Sequence, residues 1–413
     1  MYNLIILIQL IVVISKTSHN TTQNHKKTDI SNIKEINDYQ YEQVGYQIYL
    51  LLSYNKIIYM ICYKSNFFSI QKYKIFMLKD EVQLSNDQHS FVIQLNSFEP
   101  KIMWIQNDNS EIISFELFLN KKKSIYKFAS NIGNLLKEFL NGKVCFQGIN
   151  NHYKIAQYIQ KRNYGSLVRM RSIYNEELVT CKILKQGKVE FEKEFRNEVV
   201  ALQFLKHKFI PKLKEYYIES NHNYIIYEFI EGASLDKYIK KNILNTDQIL
   251  KIMKDLLQVV QYLHNEGFNH QNIKLENIFY CSMMDQITLI DFGQQKTNDI
   301  TSQRHIKSIK TLFTQDYTEM NLFTTGGFSF EKDFVDCGLV FYQLITQQIL
   351  NNEEIINFYE NKRFYHLVNE INNQKISKFI SKLFNYSNLQ NQNEIHFIQD
   401  IDEIISFNRD LIL

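Results

Sequence analysis

The chain has 413 residues, 45% of them apolar and 22% charged, with 47 lysines and arginines against 44 aspartates and glutamates. That length supports more than one ordinary core, and a net charge of +3 is too small to mark a nucleic-acid surface. The five cysteines, Cys62, Cys145, Cys181, Cys281 and Cys337, have no C-x-x-C spacing and no histidine cluster beside them, so neither a zinc site nor a disulfide framework is supported and reduced core thiols are expected.

Tyr2 to Ile14 is almost wholly apolar and is followed by Ser15 and Lys16. The run in residues 1–15 has the length of a signal-peptide core and falls short of the ~20 residues that span a bilayer. No positive charge precedes it and Gln9 interrupts it, so cleavage, anchoring and a buried start all stay open. Residues 16–44 are polar, without an apolar period, and read as a linker.

Residues 45–142 alternate in short strands. Tyr46–Leu52 and Ile57–Tyr63 flank an Asn-Lys turn, and further strands are expected at Tyr73–Leu78, Ser90–Leu95, Lys101–Gln106 and Ile112–Leu119. Ser130 can cap a helix over Asn131–Leu140, with Ile132, Leu135, Leu136 and Leu140 on one face. Strands closed by one amphipathic helix resemble a pleckstrin-homology-type barrel; the alternative is a β-rich extension of the C-terminal domain. Lys121, Lys122 and Lys123 in an expected loop offer contacts to acidic lipid headgroups, or are simply solvated.

From residue 152 to 410 strands give way to long helices. Leu178–Leu184 is a strand carrying Lys182, and Phe191–His207 is a helix whose buried stripe includes Phe195, Val199 and Leu202. Glu198 shares that stripe. A buried carboxylate needs a cation, and Lys182 on the preceding strand is the available one. A helix over Thr246–Asn265 ends before Gly267 and leads to His270-Gln271-Asn272-Ile273-Lys274-Leu275-Glu276-Asn277. Ile278–Cys281 and Ile287–Ile290 then form a hairpin ending in Asp291-Phe292-Gly293. Antiparallel pairing puts Asn277 and Asp291 at the same end, two oxygen ligands of the kind Mg²⁺ accepts.

This ordered set resembles the protein kinase family over about residues 155–390. The resemblance implies an α+β fold of two lobes, a β-rich N-lobe and a helical C-lobe, preceded by the small β-barrel-like domain. It implies that Gly165, Lys182, Glu198 and the hinge backbone of Glu228 and Ile230 hold ATP, with Tyr227 as gatekeeper. Asn277 and Asp291 would hold Mg²⁺, and Lys274 follows the catalytic-base position as in serine/threonine kinases. Leu202, His270, Phe292 and Asp333 would join the internal hydrophobic spine.

Four departures bear on function. Asn272 replaces the aspartate that accepts the substrate proton; an amide is not basic in this range, and general-base catalysis is typically worth about 10²–10⁴-fold. Gln160-Lys161-Arg162-Asn163-Tyr164-Gly165 keeps only the last glycine of G-x-G-x-x-G. Gln271 replaces the arginine that reads activation-loop phosphorylation. No Ala-Pro-Glu motif lies between Gly293 and Asp333, and neither Arg363 nor Arg409 stands where that motif's arginine partner belongs. The combination points to a pseudokinase with retained ATP and Mg²⁺ residues, acting as a scaffold or allosteric module on protein partners; the alternative is an active serine/threonine kinase. The expected location is cytoplasmic, with membrane association through the N-terminal domain or residues 2–14 left open.

Overall fold

The computed structural model describes residues 58–66, 69–78, 80–109, 111–119, 122–128, 130–161, 165–294, 296–297, 330–361, 368–385 and 396–410. The apolar start, the linker, the strand expected at Tyr46–Leu52, Lys121, Arg162 to Tyr164, residues 298–329 and Arg363 lie outside them, as does the side chain of Arg409.

The first strands form a meander: β1 (Ile58–Asn66), β2 (Ser69–Met77), β3 (Glu81–Ser85), β4 (Ser90–Gln94), β5 (Ser97–Gln106), β6 (Ile112–Leu119) and β7 (Lys122–Lys127), followed by helix α1 (Ser130–Leu140). Strand β1 pairs antiparallel with β2 and also with β7, giving the order β4-β3-β2-β1-β7-β6-β5. The expected closed barrel does not form among the described residues. Strand β5 turns its other edge to β8 (Val144–Phe146) rather than to β4, and β8 is parallel to β5 on one side and to β12 (Leu213–Ile218) on the other. Two strands of the meander lie outside the expected set: β3, whose polar–apolar alternation runs over only five residues, and β7. Lys122 and Lys123 therefore sit on a strand, and Lys123 Nζ lies 2.5 Å from Glu116 Oε1.

The sheet continues through β9 (Tyr153–Lys161), β10 (Gly165–Ser172), β11 (Leu178–Lys185) and, after helix α2 (Val189–Phe204), through β12 and β13 (His222–Tyr227). Thirteen described strands thus share one sheet, in which β12-β13-β11-β10-β9 follow β8. Because strand side chains alternate between faces, neighbours part company. Leu167, Tyr216 and Ile225 face a core shared with α2 and the helical lobe, whereas Val168, Tyr217 and Ile226 face a core shared with the meander and α1.

The helical lobe contains the short β14 (Ala233–Ser234), α3 (Leu235–Tyr238), α4 (Thr246–Asn265), β15 (Phe268–Asn269), β16 (Ile278–Cys281), β17 (Gln286–Leu289), β18 (Lys296–Thr297), α5 (Glu331–Thr346), α6 (Asn352–Asn361), α7 (Gln374–Phe384) and α8 (Phe397–Asp410). Helix α4 begins in a capping box between Asn245 and Gln248. All five cysteines are buried and free. No described helix is long and apolar enough to cross a membrane.

Polar contacts also stitch the meander to the lobe behind it. Lys137 of α1 reaches Glu215 of β12, whose side chain is fully buried and also accepts from the Tyr217 hydroxyl. Burial alone would raise the Glu215 carboxyl, but Lys137 outweighs it and holds its pKa below the ordinary value. Beside them His152 is kept neutral by burial, its pKa down to about 4. The Tyr216 hydroxyl donates to Ser97 O at 2.9 Å. Phe98 packs on Phe195 of α2 at 5.7 Å between ring centroids, with the Arg196 guanidinium 4.6 Å from its ring.

Lys137→Met strands the Glu215 charge in the core, and chemical denaturation of the full chain is expected to register a loss of about 3–5 kcal/mol. His152 predicts a pH effect of definite sign. Its folded pKa lies below the unfolded value of about 6.5, so the stability it carries is complete above that pH and is lost as the pH falls toward 4. The change is about 3 kcal/mol, and in His152→Phe the stability measured between pH 7 and pH 4 should fall by that much less.

Candidate functional site

Strand β11 delivers Lys182 into the cleft between the sheet and the helical lobe, where only 6% of the residue is exposed. Its ammonium lies 2.6 Å from Glu198 Oε2, the partner expected from the helical stripe, and 2.5 Å from Asp291 Oδ1, which the sequence reading does not pair with it. The structure adds a third partner, Glu194 Oε1, at 2.8 Å. A signal for it exists in the sequence, since Glu194 and Glu198 are one turn apart on the same face of α2. The three carboxylates each offer an oxygen within 4.8 Å of the others. Burial pushes Lys182 toward its neutral form, but Asp291, Glu198 and Glu194 together hold its pKa well above the usual value. Burial leaves the Glu198 carboxyl raised despite Lys182, and the Tyr227 hydroxyl donates to its other oxygen at 2.5 Å.

Asn277 and Asp291 meet as the hairpin register demands, with Ile278 opposite Leu289. Asn277 Nδ2 donates to Asp291 Oδ2 at 3.1 Å and to Asn272 O at 2.8 Å. The side chain of Asn272 points at the same carboxylate, its Nδ2 2.6 Å from Asp291 Oδ2. Asp291 has φ of 77°, a left-handed conformation in which these donors hold it. Lys274 follows two residues later, half-buried on the loop.

The ring of Phe292 stands 5.0 Å from that of His270. Asp333 of α5 accepts from the backbone N–H groups of His270 and Gln271 at 2.8 and 2.7 Å, which fixes Gln271 at φ of 65°. His264 Nε2 lies 2.9 Å from the same carboxylate. Gly293 is explained by close approach, because a Cβ there would lie 2.2 Å from Glu194 Cγ.

Gly165, Glu228 and Ile230, assigned to nucleotide contacts, have the following neighbours among the described residues. Gly165 belongs to a tight strand pair, and a Cβ on it would lie 2.2 Å from Ile183 O. The hinge N–H of Ile230 donates to Thr180 Oγ1 at 2.9 Å, and that of Glu228 donates to Lys212 O at 3.0 Å. Gln160, at the first glycine position, donates to Glu276 O at 3.0 Å and ties the β9 end to the loop of Asn272. The space left among Gln160, Leu167, Lys182, Tyr227 and Asp291 is about 20 Å³, room for about one water. A broader depression of about 670 Å³ lies near α4 and α8, lined by Lys208, Lys251, Lys254, Asp255 and Asp402 among others; it contains none of these cleft residues.

A strand lysine paired with a helix glutamate, facing an Asn–Asp hairpin across a two-lobed cleft, defines the kinase class of fold. Residues 153–401 match the family described as protein kinase domain, more than half of the chain, and the chain belongs to that family. It is 26% identical over 203 residues to cysteine-rich receptor-like protein kinase 37 of Arabidopsis thaliana, covering 48% of this chain and 31% of that protein. It is 31% identical over 145 residues to serine/threonine-protein kinase ICK of Rattus norvegicus, covering 35% of this chain and 23% of that one. The chain thus spans less than a third of the length of these curated relatives. The autoinhibited serine kinase domain of the giant muscle protein titin superposes with a TM-score of 0.43 at 19% identity, over 57% of this chain and 75% of that chain. The family generally binds ATP and Mg²⁺.

Asp333→Ala leaves two backbone N–H groups without their acceptor at a buried turn. The expected loss is at least about 2 kcal/mol, read as a lower urea midpoint.

Proposed function

We propose that this chain is a catalytically impaired protein kinase, a pseudokinase that works as a signalling scaffold on protein partners. The observation that carries the reading is the side chain of Asn272. It occupies the base position, is not basic, and donates its N–H to Asp291. Three neighbouring contacts support the same reading. Where the family presents donors or space to adenine, phosphates and metal, this chain has Thr180 on Ile230, Gln160 on the carbonyl of Glu276, and Lys182 on Asp291. In this reading the described polar groups of the cleft are paired with one another and Mg·ATP is excluded.

The N-terminal meander is a pleckstrin-homology-like module in this reading, supported by its seven-strand order and the helix after it. Its opening between β4 and β5 is where β8 joins it to the kinase sheet. In this reading the fused module binds a protein partner, and the exposed Lys123 is paired with Glu116.

The second reading, an active serine/threonine kinase, is favoured by one observation: the Lys182–Glu198 ion pair at 2.6 Å, the arrangement catalysis in this family requires. Phosphate transfer from ATP by the purified chain, abolished in Asp291→Ala, is the result that would establish it.

Thermal unfolding with and without millimolar Mg·ATP tests the closed cleft. A ligand at 100 times its dissociation constant adds about 2.7 kcal/mol, a shift of several degrees; the expected shift here is under one degree, and a shift of that larger size overturns the reading. Thr180→Ala frees the Ile230 N–H for adenine, and its nucleotide-dependent shift should exceed that of the unaltered chain.

A further inference from the structure

Strands β2, β1 and β7 lie side by side in the meander, and together they contain six lysines and no aspartate or glutamate. The whole chain has 47 basic residues against 44 acidic ones, and without those six lysines it would have 41 against 44. The protein's positive balance therefore sits in this part of the sheet. Register decides which way the lysines face. Lys72 of β2 stands opposite Tyr63 of β1, and Tyr63 stands opposite Lys127 of β7. Directly opposed residues share a face, as do residues two apart on one strand, which adds Ile70, Lys74 and Lys123. The other face of the same strands puts Cys62, Tyr73, Ile75 and Tyr126 into the core. The lysine face is thus the outer one: Lys72, Lys123 and Lys127 are exposed, Tyr63 is 42% exposed and Ile70 75%. Glu116, which β6 contributes to this face opposite Ile125, is 5% exposed and paired with Lys123.

Charge and exposure together select the partner. Ile70 comes directly after the closing pair of the hairpin, Asn66 opposite Ser69, so an apolar side chain stands out at the strand end beside the lysine row. A bilayer boundary suits all of these groups at once. The ammonium groups meet anionic headgroups, the tyrosine offers an apolar body and a wet hydroxyl, and the isoleucine leaves water. An acidic protein segment would satisfy the lysines and give no account of Ile70.

We propose that the outer face of β2, β1 and β7, through Lys72, Lys74, Lys127, Tyr63 and Ile70, is a docking surface for an anionic lipid bilayer. The lysines form a row across a sheet face, so the surface reads charge density and not one particular headgroup. None of these residues belongs to the Lys182 cleft, and the proposal stands whether or not the chain transfers phosphate.

The test is co-sedimentation of the full chain with vesicles of phosphatidylcholine alone and with vesicles containing about 30% phosphatidylserine, at low salt. Binding is expected to the second and not to the first. It should be lost in about 0.5 M salt, where the Debye length falls to about 4 Å. A lysine beside an anionic surface is worth about fivefold in affinity, so Lys72→Gln with Lys127→Gln should weaken binding about 25-fold. Ile70→Asp should weaken it by about tenfold. Lys240→Gln with Lys241→Gln removes the same charge from exposed lysines outside the meander, and should leave binding within about twofold. If the double variant of the patch folds poorly, Lys127→Gln alone decides the matter, with an expected loss of about fivefold. Failure of the unaltered chain to sediment with the anionic vesicles overturns the proposal. So does equal binding to neutral vesicles, or binding unchanged in the patch variants, as attachment by the apolar residues 2–14 would give. Equal weakening in the Lys240 and Lys241 variant also overturns it, since net charge and not this face would then govern binding.

Discussion

One ammonium group, that of Lys182, neutralises carboxylates arriving from two elements: Glu194 and Glu198 from helix α2, and Asp291 from the end of the β17 hairpin. Strand and helix follow one another in the chain but Asp291 of the hairpin is 109 residues beyond Lys182, so this contact fixes the sheet lobe and the helical lobe against each other. Removing either sign leaves buried charge without a partner, a costly state in a low-dielectric interior. The neighbouring contacts serve the same end. Asn272 and Asn277 complete the coordination of Asp291, and Tyr227 completes that of Glu198.

Within that constraint the described polar groups lining the cleft are paired with one another inside this chain. Thr180 takes the hinge N–H, Gln160 closes the β9 end onto the loop, and Asp291 is enclosed by an ammonium and two amides. Buried polar groups must be paired by something, and here the sequence provides the partners itself.

The N-terminal strands extend the same logic. Alternation along β10, β12 and β13 sends half of the side chains toward α2 and half toward the meander, so the lobe's sheet is covered on both faces by the chain's own residues. Through Phe98 the meander touches α2 directly, beside the helix turn that carries Glu194 and Glu198. The module and the catalytic-type lobe are one mechanical unit, joined by β8 and by the Lys137–Glu215 pair.

What the sequence by itself determined was everything carried by local period and by ordered motifs. The stripe of Phe195, Val199 and Leu202, the hairpin that brings Asn277 to Asp291, the pairing of Lys182 with Glu198, and the helix from Thr246 to Asn265 all follow from local spacing. What only the tertiary structure decided was which groups at the cleft remained available. Asn272 turning to Asp291, Thr180 meeting Ile230 and Gln160 meeting Glu276 span separations of 19, 50 and 116 residues. The joining of the meander to the kinase sheet depended likewise on a three-residue strand, Val144–Phe146, too short to carry a period, whose partners come from both sides of it in the chain. Hydrogen bonds of that kind depend on where distant backbone segments come to rest, and no local pattern encodes that.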